Sequence, residues 1–395
     1  MKHITSLLLG IIVLSSVAFA QAPRRYESML SLVEQRNTSL RMLQNQMQAE
    51  RIESHAQGLV DDPEVEFAYY SGSPSEIGKR WDLNVSQSFE VPSVYIRKMA
   101  INNIQDSQAV LNYLIQRSHI LLETQTACAD LIYHSAIQEL YDKLNSNAYS
   151  IARLYEKRYK AGDCSILDYN RAQMNWTKTQ NDCVIAGLTR DHDLHTLNNL
   201  SDTDYCPMQQ TCYDTVVLSD NFNDWWVEYV ISSPEMALVN TRYESAANAL
   251  ALSKAEWLPK FSVGYSSENV VGQTFRGAAL GMTIPIWNNR NKVNLAQQRL
   301  TTTQSARDAV DQQSYSEYQC MFHRAKALEV NIDRLKTDFN RFDSTELLLK
   351  ALNAGEITLE EYLREIAYYT ELQLSLLENQ HMLELLVLQL NAHKN

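Results

Sequence analysis

Two hydrophobic periods alternate along this chain, and the alternation occurs twice. Apolar residues first recur at helical spacing over 26–59, at Met29, Leu32, Val33, Leu40, Leu43 and Met47, with Asn37-Thr38-Ser39 placed to cap a break inside that stretch. Asp61-Asp62-Pro63 stops the helix, and the period falls to two. Val65, Phe67 and Tyr69 share one face. After a turn-rich segment at 71–80, Trp81, Leu83, Val85, Phe89 and Val91 alternate with Asp82, Asn84, Ser86, Ser88 and Glu90. This predicts a hairpin over 63–91 with one apolar and one polar face. Helical spacing returns over 94–159. There Tyr133, Ile137, Leu140, Leu144, Ile151 and Leu154 follow a coiled-coil step in which Asn147 is the polar position.

The second half repeats the plan. A helix starting near Asp224 runs to Trp257-Leu258-Pro259. Phe261, Val263 and Tyr265 then alternate with small residues, a polar loop follows, and 275–286 places Leu280, Met282, Ile284 and Ile286 on one side, giving a second hairpin over 259–286. A long helix over 291–352 keeps the heptad step at Met321, Ala325, Leu328, Ile332, Leu335, Phe339 and Phe342. Helices return over 166–200 and 359–391. Each sixty-odd-residue helix makes a rod of roughly 90–100 Å at ~1.5 Å per residue.

The halves are copies. Residues 161–171 read AGDCSILDYNR, and AGEITLEEYLR follows 193 positions later at 354–364; Pro92 and Pro285, and Arg97 and Arg290, keep that spacing. The chain therefore divides into a first repeat (21–200), a polar link (201–223) and a second repeat (224–395). Gly162 and Gly355 lie in tips at 160–165 and 353–358, between long helices, where a sharp turn requires the left-handed conformation. The fold class expected is mainly α with a small β part.

Strands of about 9–11 residues cross a membrane when tilted, and aromatic residues near their ends suit the interfacial girdles of a barrel. The alternative is a small soluble sheet packed on helices. In lipid, four strands cannot close and an open edge is not tolerated, so several chains would share one barrel; three would give twelve strands.

Composition narrows the choices. Gly numbers 11 and Pro 8, which favours long uninterrupted elements. A net charge of −12 disfavours a nucleic-acid partner. Residues 1–20 read as a secretory signal, with Lys2, the apolar stretch 7–17 and Ala18-Phe19-Ala20 before the cut; an uncleaved anchor is the alternative. No Cys stands at the cleavage site, and no later apolar run is long enough for a transmembrane helix. Six Cys lie beyond the signal, in a compartment that permits disulfides. Cys206 and Cys212 flank a short polar loop and are the candidate pair; the other four fall in helical patterns and read as buried thiols. His192 and His195 are one helical turn apart, a spacing open to a metal ion and equally to two histidines near a helix C-terminus. No phosphate loop, nucleophile elbow or zinc-protease signature occurs, so neither enzyme activity nor a cofactor is expected.

The duplication, the Pro-bounded hairpins, the long helices and the two tips together resemble the TolC-type outer-membrane efflux channels, or outer-membrane factors, across the whole mature chain; the metal-resistance branch is similar too. The resemblance implies a homotrimer whose twelve strands form a β-barrel in the outer membrane. Twelve helices continue it as an α-barrel in the periplasm. It implies a passive exit duct, docked by its tips to a periplasmic adaptor and an inner-membrane pump, carrying small molecules or metal ions. It implies that Glu361 forms a carboxylate ring at the narrow end, favouring cations. Where a further acid is common in the family, this chain has Arg364, whose mate is Arg171. These departures suggest a latch to Asp168 or Glu361 of a neighbouring helix, against the alternative of a solvated helix face. Gly162 with Ala161 and Asp163, and Gly355 with Ala354 and Glu356, become the docking points. A secreted structural coiled-coil protein and a periplasmic metal-binding protein are the competing readings.

Overall fold

The computed structural model describes residues 25–56, 60–205, 212–213, 218–285 and 289–395. The expected signal segment, Ile286, and Cys206 with its expected pairing to Cys212 lie outside them.

The first helical stretch is two helices, α1 (Glu27–Arg36) and α2 (Thr38–Ala56). Asn37 makes the break. Its Oδ1 accepts the Leu40 N–H at 2.9 Å, and its Nδ2 donates to the Leu200 carbonyl at 2.7 Å, tying the break to a returning helix. The helix α3 (Pro92–Ala161) is continuous over 70 residues, about 105 Å at ~1.5 Å per residue. It returns as α4 (Ile166–Ser201).

In the second repeat the single helix expected from about 224 is instead α5 (Phe222–Ser232) and α6 (Pro234–Ala255). Ser233 caps α6, and Pro234 follows it at the first position, where its missing N–H costs nothing; inside a helix it would break the ladder. The helix expected over 291–352 is likewise divided, into α7 (Asn289–Phe342) and α8 (Thr345–Ala354). Asp343 Oδ1 accepts the Thr345 N–H at 3.0 Å, and the Tyr369 hydroxyl donates to the Phe342 carbonyl at 3.0 Å, so each helix end at the break gains a side-chain partner. The last helix, α9 (Leu359–Asn391), ends in a short 3-10 turn over Ala392–Lys394.

Four strands form one antiparallel sheet: β1 (Glu64–Ser71), β2 (Lys79–Phe89), β3 (Lys260–Val270) and β4 (Gln273–Thr283), in chain order. The polar loop expected before Phe275 is strand almost throughout. Val271 and Gly272 alone make the turn, with φ of 48° and 83°. Two consecutive positive φ values are those of the tight hairpin turn that matches strand twist.

The coiled-coil seam in α3 shifts by one residue at its polar position. Asn147 is exposed, and Ala148 beside it is buried with Leu140 and Ile151. Burying an amide without a partner is costly, whereas Ala fills the close approach to α4. Two cores form a belt around the middle of the helices. One packs Met29, Leu30 and Val33 of α1 on Leu121, Cys128 and Ile132 of α3, with Leu197 and Leu388. The other packs Phe222, Trp225 and Tyr229 of α5 on Phe322 and Ile332 of α7 and on α9. Glu384 is buried beside the first core, ion-paired to Arg25 and accepting the Tyr26 hydroxyl at 2.9 Å. The buried-thiol expectation fits Cys128, while Cys320 is exposed and Cys164 lies in the tip turn.

Candidate functional site

At the first tip, Gly162 takes φ 78°, and the Asp163 N–H closes back onto the Arg158 carbonyl at 2.8 Å. At the second, Gly355 takes φ 79° and the Glu356 N–H reaches the Ala351 carbonyl at 2.9 Å. These are left-handed C-caps that satisfy the last helical carbonyls. A Cβ at either glycine would meet nothing within 4 Å, so the backbone conformation, and not crowding, selects glycine. Ala161, Asp163, Ala354 and Glu356 are exposed beside them.

The chain re-enters helix through matched caps. The Asp168 N–H donates to Ser165 Oγ at 3.1 Å, and Ser165 Oγ donates to Asp168 Oδ2 at 2.7 Å. In the second tip the Glu361 N–H donates to Thr358 Oγ1 at 3.2 Å, while Glu361 Oε2 accepts the Thr358 N–H at 2.9 Å. Both candidate gate carboxylates are thus the third residues of their helices; Thr358 and Glu361 form a full capping box, while Asp168 meets the Ser165 cap through its own N–H and the Ser165 hydroxyl. Hydrogen bonds from the Thr358 backbone and side chain hold the exposed Glu361 carboxyl below its ordinary range, so it stays ionised.

The arginines divide differently from the expected latch. Arg364 Nε lies 3.6 Å from Glu365 on its own helix. Arg171 instead crosses from α4 to α9, with Nη1 3.1 Å from Glu360 Oε2. Glu360 was not among the expected residues; its neighbour Glu361 is occupied by the cap. Beneath the polar shell, Ile151, Tyr155, Ala172, Leu352, Leu359 and Tyr362 form one small core that joins both tips. Tyr169 and Tyr362, equivalent in the repeat, separate in role: Tyr169 stacks on Tyr159 at 5.1 Å, and Tyr362 is buried.

The histidine pair does not converge on a ligand. His192 and His195 are exposed, and Asp193 between them turns inward to His134 Nδ1 at 2.6 Å. Among the described residues no group of three or more His, Cys, Asp or Glu could hold a metal ion. A comparable bridge, His381 Nε2 to Asp130 at 3.1 Å, joins α9 to α3.

The sheet carries the other candidate surface. Its register aligns Val65 with Val85, Phe67 with Leu83 and Tyr69 with Trp81. Val85 in turn meets Tyr265, and Phe89 meets Phe261; Phe261 and Val263 meet Met282 and Leu280. One apolar face therefore runs across all four strands, yet it is bare: Leu280 is 84% exposed and Phe67 66%. The opposite face is polar and acidic on its first two strands: Glu66 lies opposite Asn84 and Glu64 opposite Ser86, and the face continues through Ser266, Gly264 and Ser262 to Gly277. Both β1 and β4 are free edges. No helix among the described residues is long and apolar enough to cross a membrane.

No protein-family model and no curated protein matches this sequence. Solved structures do. A membrane protein from Pseudomonas aeruginosa superposes with a TM-score of 0.79 at 14% identity, over 94% of this chain and 90% of its own. CusC, whose structures describe transmembrane channel formation, gives 0.77 at 13% identity over 93% and 91%. The CmeC outer membrane channel of Campylobacter jejuni gives 0.76 at 12% identity over 94% and 85%. At such identities the likeness is one of fold, and this chain has the fold of these outer-membrane channels along nearly its whole length.

Proposed function

We propose that this chain is the outer-membrane channel of a tripartite export system, a non-enzymatic duct through which cargo expelled by an inner-membrane pump leaves the cell. The observation that carries this reading is the sheet. An apolar face of membrane-crossing strands, bare on a chain whose helices have ordinary buried cores, has lipid as its natural solvent. Its free edges then demand more strands, because unpaired backbone groups in hydrocarbon cost several kcal/mol each on the order given by transfer data. Three copies supply twelve strands, and their polar opposite faces, which carry Glu64, Glu66 and Asp82, line the pore.

The helices extend the duct into the periplasm and end in the paired tips. Gly162 and Gly355, flanked by Ala161, Asp163, Ala354 and Glu356, offer exposed small and acidic positions to a periplasmic adaptor. Glu361, held ionised by its cap at the start of α9, gives the narrow end a cation preference, with Asp168 at the equivalent place on α4. Small molecules and metal ions are the cargo classes this supports; conduction needs no tight site, and His192 and His195 are not required to form one.

The test is the mass of the mature protein extracted from membranes in detergent, followed by bilayer recording. Three chains per particle with cation-preferring conductance is the expected result. A single chain that is soluble without detergent overturns the proposal in favour of a secreted coiled-coil protein.

A further inference from the structure

α6 leads into β3 and α7 follows β4, so the sheet ends of these two helices lie side by side. A groove of about 540 Å³ runs between them. Three cations line it, Arg242 on α6 and Lys292 and Arg299 on α7. One acid joins them, Glu256, 3.7 Å from Lys292 Nζ. Ser245 and Thr302 add hydroxyls. Among the described residues neither the Arg242 nor the Arg299 guanidinium has an ion-pair partner, in a chain whose net charge is −12.

The duplication supplies a comparison within the same chain. Pro63 and Pro259 lie 196 apart, as do the helix breaks at Asn37 and Ser233, so α6 is the copy of α2. Pro92 and Pro285, like Gly162 and Gly355, lie 193 apart, so α7 is the copy of α3. In the first repeat the place of Arg299 is held by Asp106, whose Oδ1 accepts from Arg51 Nε at 2.8 Å. The place of Arg51 is held on α6 by Ala247. Between the copies the charge is reversed and the partner is gone. Arg242 and Lys292 stand at the places of Gln46 and Met99, and Ala246 and Ala249 at those of Glu50 and Glu53. One groove is acidic, and its copy is basic.

We infer that the basic groove is an anion site on the inner wall of the duct, taking a small multivalent oxyanion, a phosphate ester or a polycarboxylate. Like charges lining one cavity repel, and a multivalent anion between them turns that repulsion into attraction. Guanidinium forks match the paired oxygens of phosphate and carboxylate, which a lone ammonium does not. Alanines at 246, 249 and 296 leave the space between the cations clear. The inner-wall placement rests on the channel reading. Lys292 and Arg299 are seven residues apart and share one face of α7. The face that α5 covers, at Tyr315 and Phe322, continues by sevens through Asp308 to Thr301. Thr301 is two positions from Arg299, roughly 200° around the helix. A helix added on the bore side would obstruct the duct, so α5 lies outside and the groove inside. Three copies then ring the bore with cations at its barrel end, opposite in sign to the carboxylates at the tips.

The test is calorimetry on the full chain purified in detergent, titrated with tripolyphosphate and, separately, with citrate. The expected result is uptake of one or both, with affinity falling about tenfold or more in Arg242→Ala and in Arg299→Ala, the order contributed by a hydrogen bond to a charged group. The tighter of the two names the class of oxyanion. Lys178→Ala removes an exposed cation from α4, away from the groove, and is expected to leave affinity unchanged. Bilayer recording reads the placement: the bound anion, added from the barrel side, is expected to lower conductance in the parent and far less in Arg299→Ala. No uptake by a particle that stays oligomeric and conducts, or equal weakening by Lys178→Ala, overturns the anion site and leaves the channel reading intact. Uptake with no change in conductance overturns the inner-wall placement. A particle of one chain overturns the channel reading, and the placement with it. If Arg299→Ala fails to assemble, Arg242→Ala, on the other wall of the groove, decides the question: unchanged affinity there overturns the site.

Discussion

Glu361 and Thr358 cap one another: the Thr358 hydroxyl donates to Glu361 Oε2 at 2.8 Å and accepts the Glu361 N–H at 3.2 Å. The residue proposed to set ion preference is therefore also the one that starts α9, and the two roles separate by substitution. Thr358→Ala removes the cap and is expected to destabilise by about 1 kcal/mol, with little effect on selectivity. Glu361→Ala is expected to lower cation preference in reversal-potential measurements. Selectivity unchanged in Glu361→Ala would place the constriction elsewhere.

The capping bonds hold the Glu361 carboxyl below its ordinary range, so their contribution is present above that range and lost as pH falls through the lowered folded value. Cation preference is expected to persist through mild acid and to fail only at low pH. In Thr358→Ala the loss is expected to begin at higher pH, which a reversal-potential titration reads directly.

Arg171 and Arg364 are equivalent by sequence, but only Arg171 bridges two helices within the chain, to Glu360. The pair is exposed, and Arg171→Ala is expected to cost under ~1 kcal/mol of stability. Arg364→Ala is expected to raise resting conductance if Arg364 latches the tip to Asp168 or Glu361 of a neighbouring helix, the role its position suggests from the sequence. Equal conductance in both variants and the parent would show that neither arginine holds the tip.

The bare face of the sheet predicts a sharp contrast between substitutions on its two sides. Phe67→Lys places a charge toward lipid, at a cost of up to ~2–4 kcal/mol near mid-membrane, and is expected to reduce outer-membrane assembly severely. Ser262→Lys, on the opposite face, is expected to assemble and to alter conductance alone. Membrane fractionation of the two variants checks the assignment of faces; the reverse result would invert it.

His393 lies at the C-terminus against Trp225 and Tyr229, with ring centroids at 5.9 and 5.2 Å, and burial lowers its pKa to about 4. Its ring belongs to a terminal turn fastened by Lys394 to Glu228 and by Ser118 to the Ala392 carbonyl. The unfolded chain binds this proton near pH 6.5 and the folded chain only near 4, so stability is full above 6.5 and declines until about 4. His393→Phe is expected to flatten that part of the stability profile. An unchanged slope in thermal melts across this window would assign the dependence to other groups.

Much of this architecture could be read before any coordinates. The two tips, with left-handed glycines at 162 and 355, follow from the repeat itself. So do the apolar and polar faces of the strands, because a period of two leaves no other arrangement. The caps are equally local: Ser165 and Thr358 each stand three residues before an acid, the spacing by which a helix start is capped. The breaks at Ser233 and Asp343 were harder to see. At the first, Pro234 lacks a ladder donor and Ser233 caps the helix that follows; at the second, the Asp343 side chain takes the Thr345 N–H, and each break is a local event inside an otherwise helical stretch.

Local chemistry along the chain determined the duplication, the element order, the glycine turns and which strand face is apolar, since periodicity, φ and caps are short-range properties. Partnership was decided only in three dimensions. That Arg171 meets Glu360, that Asp193 turns to His134 instead of joining His192 and His195, and that Tyr362 is buried while Tyr169 is half-buried against Tyr159 all depend on how separate helices cross. Crossing is set by side-chain packing over distances that a sequence pattern does not encode.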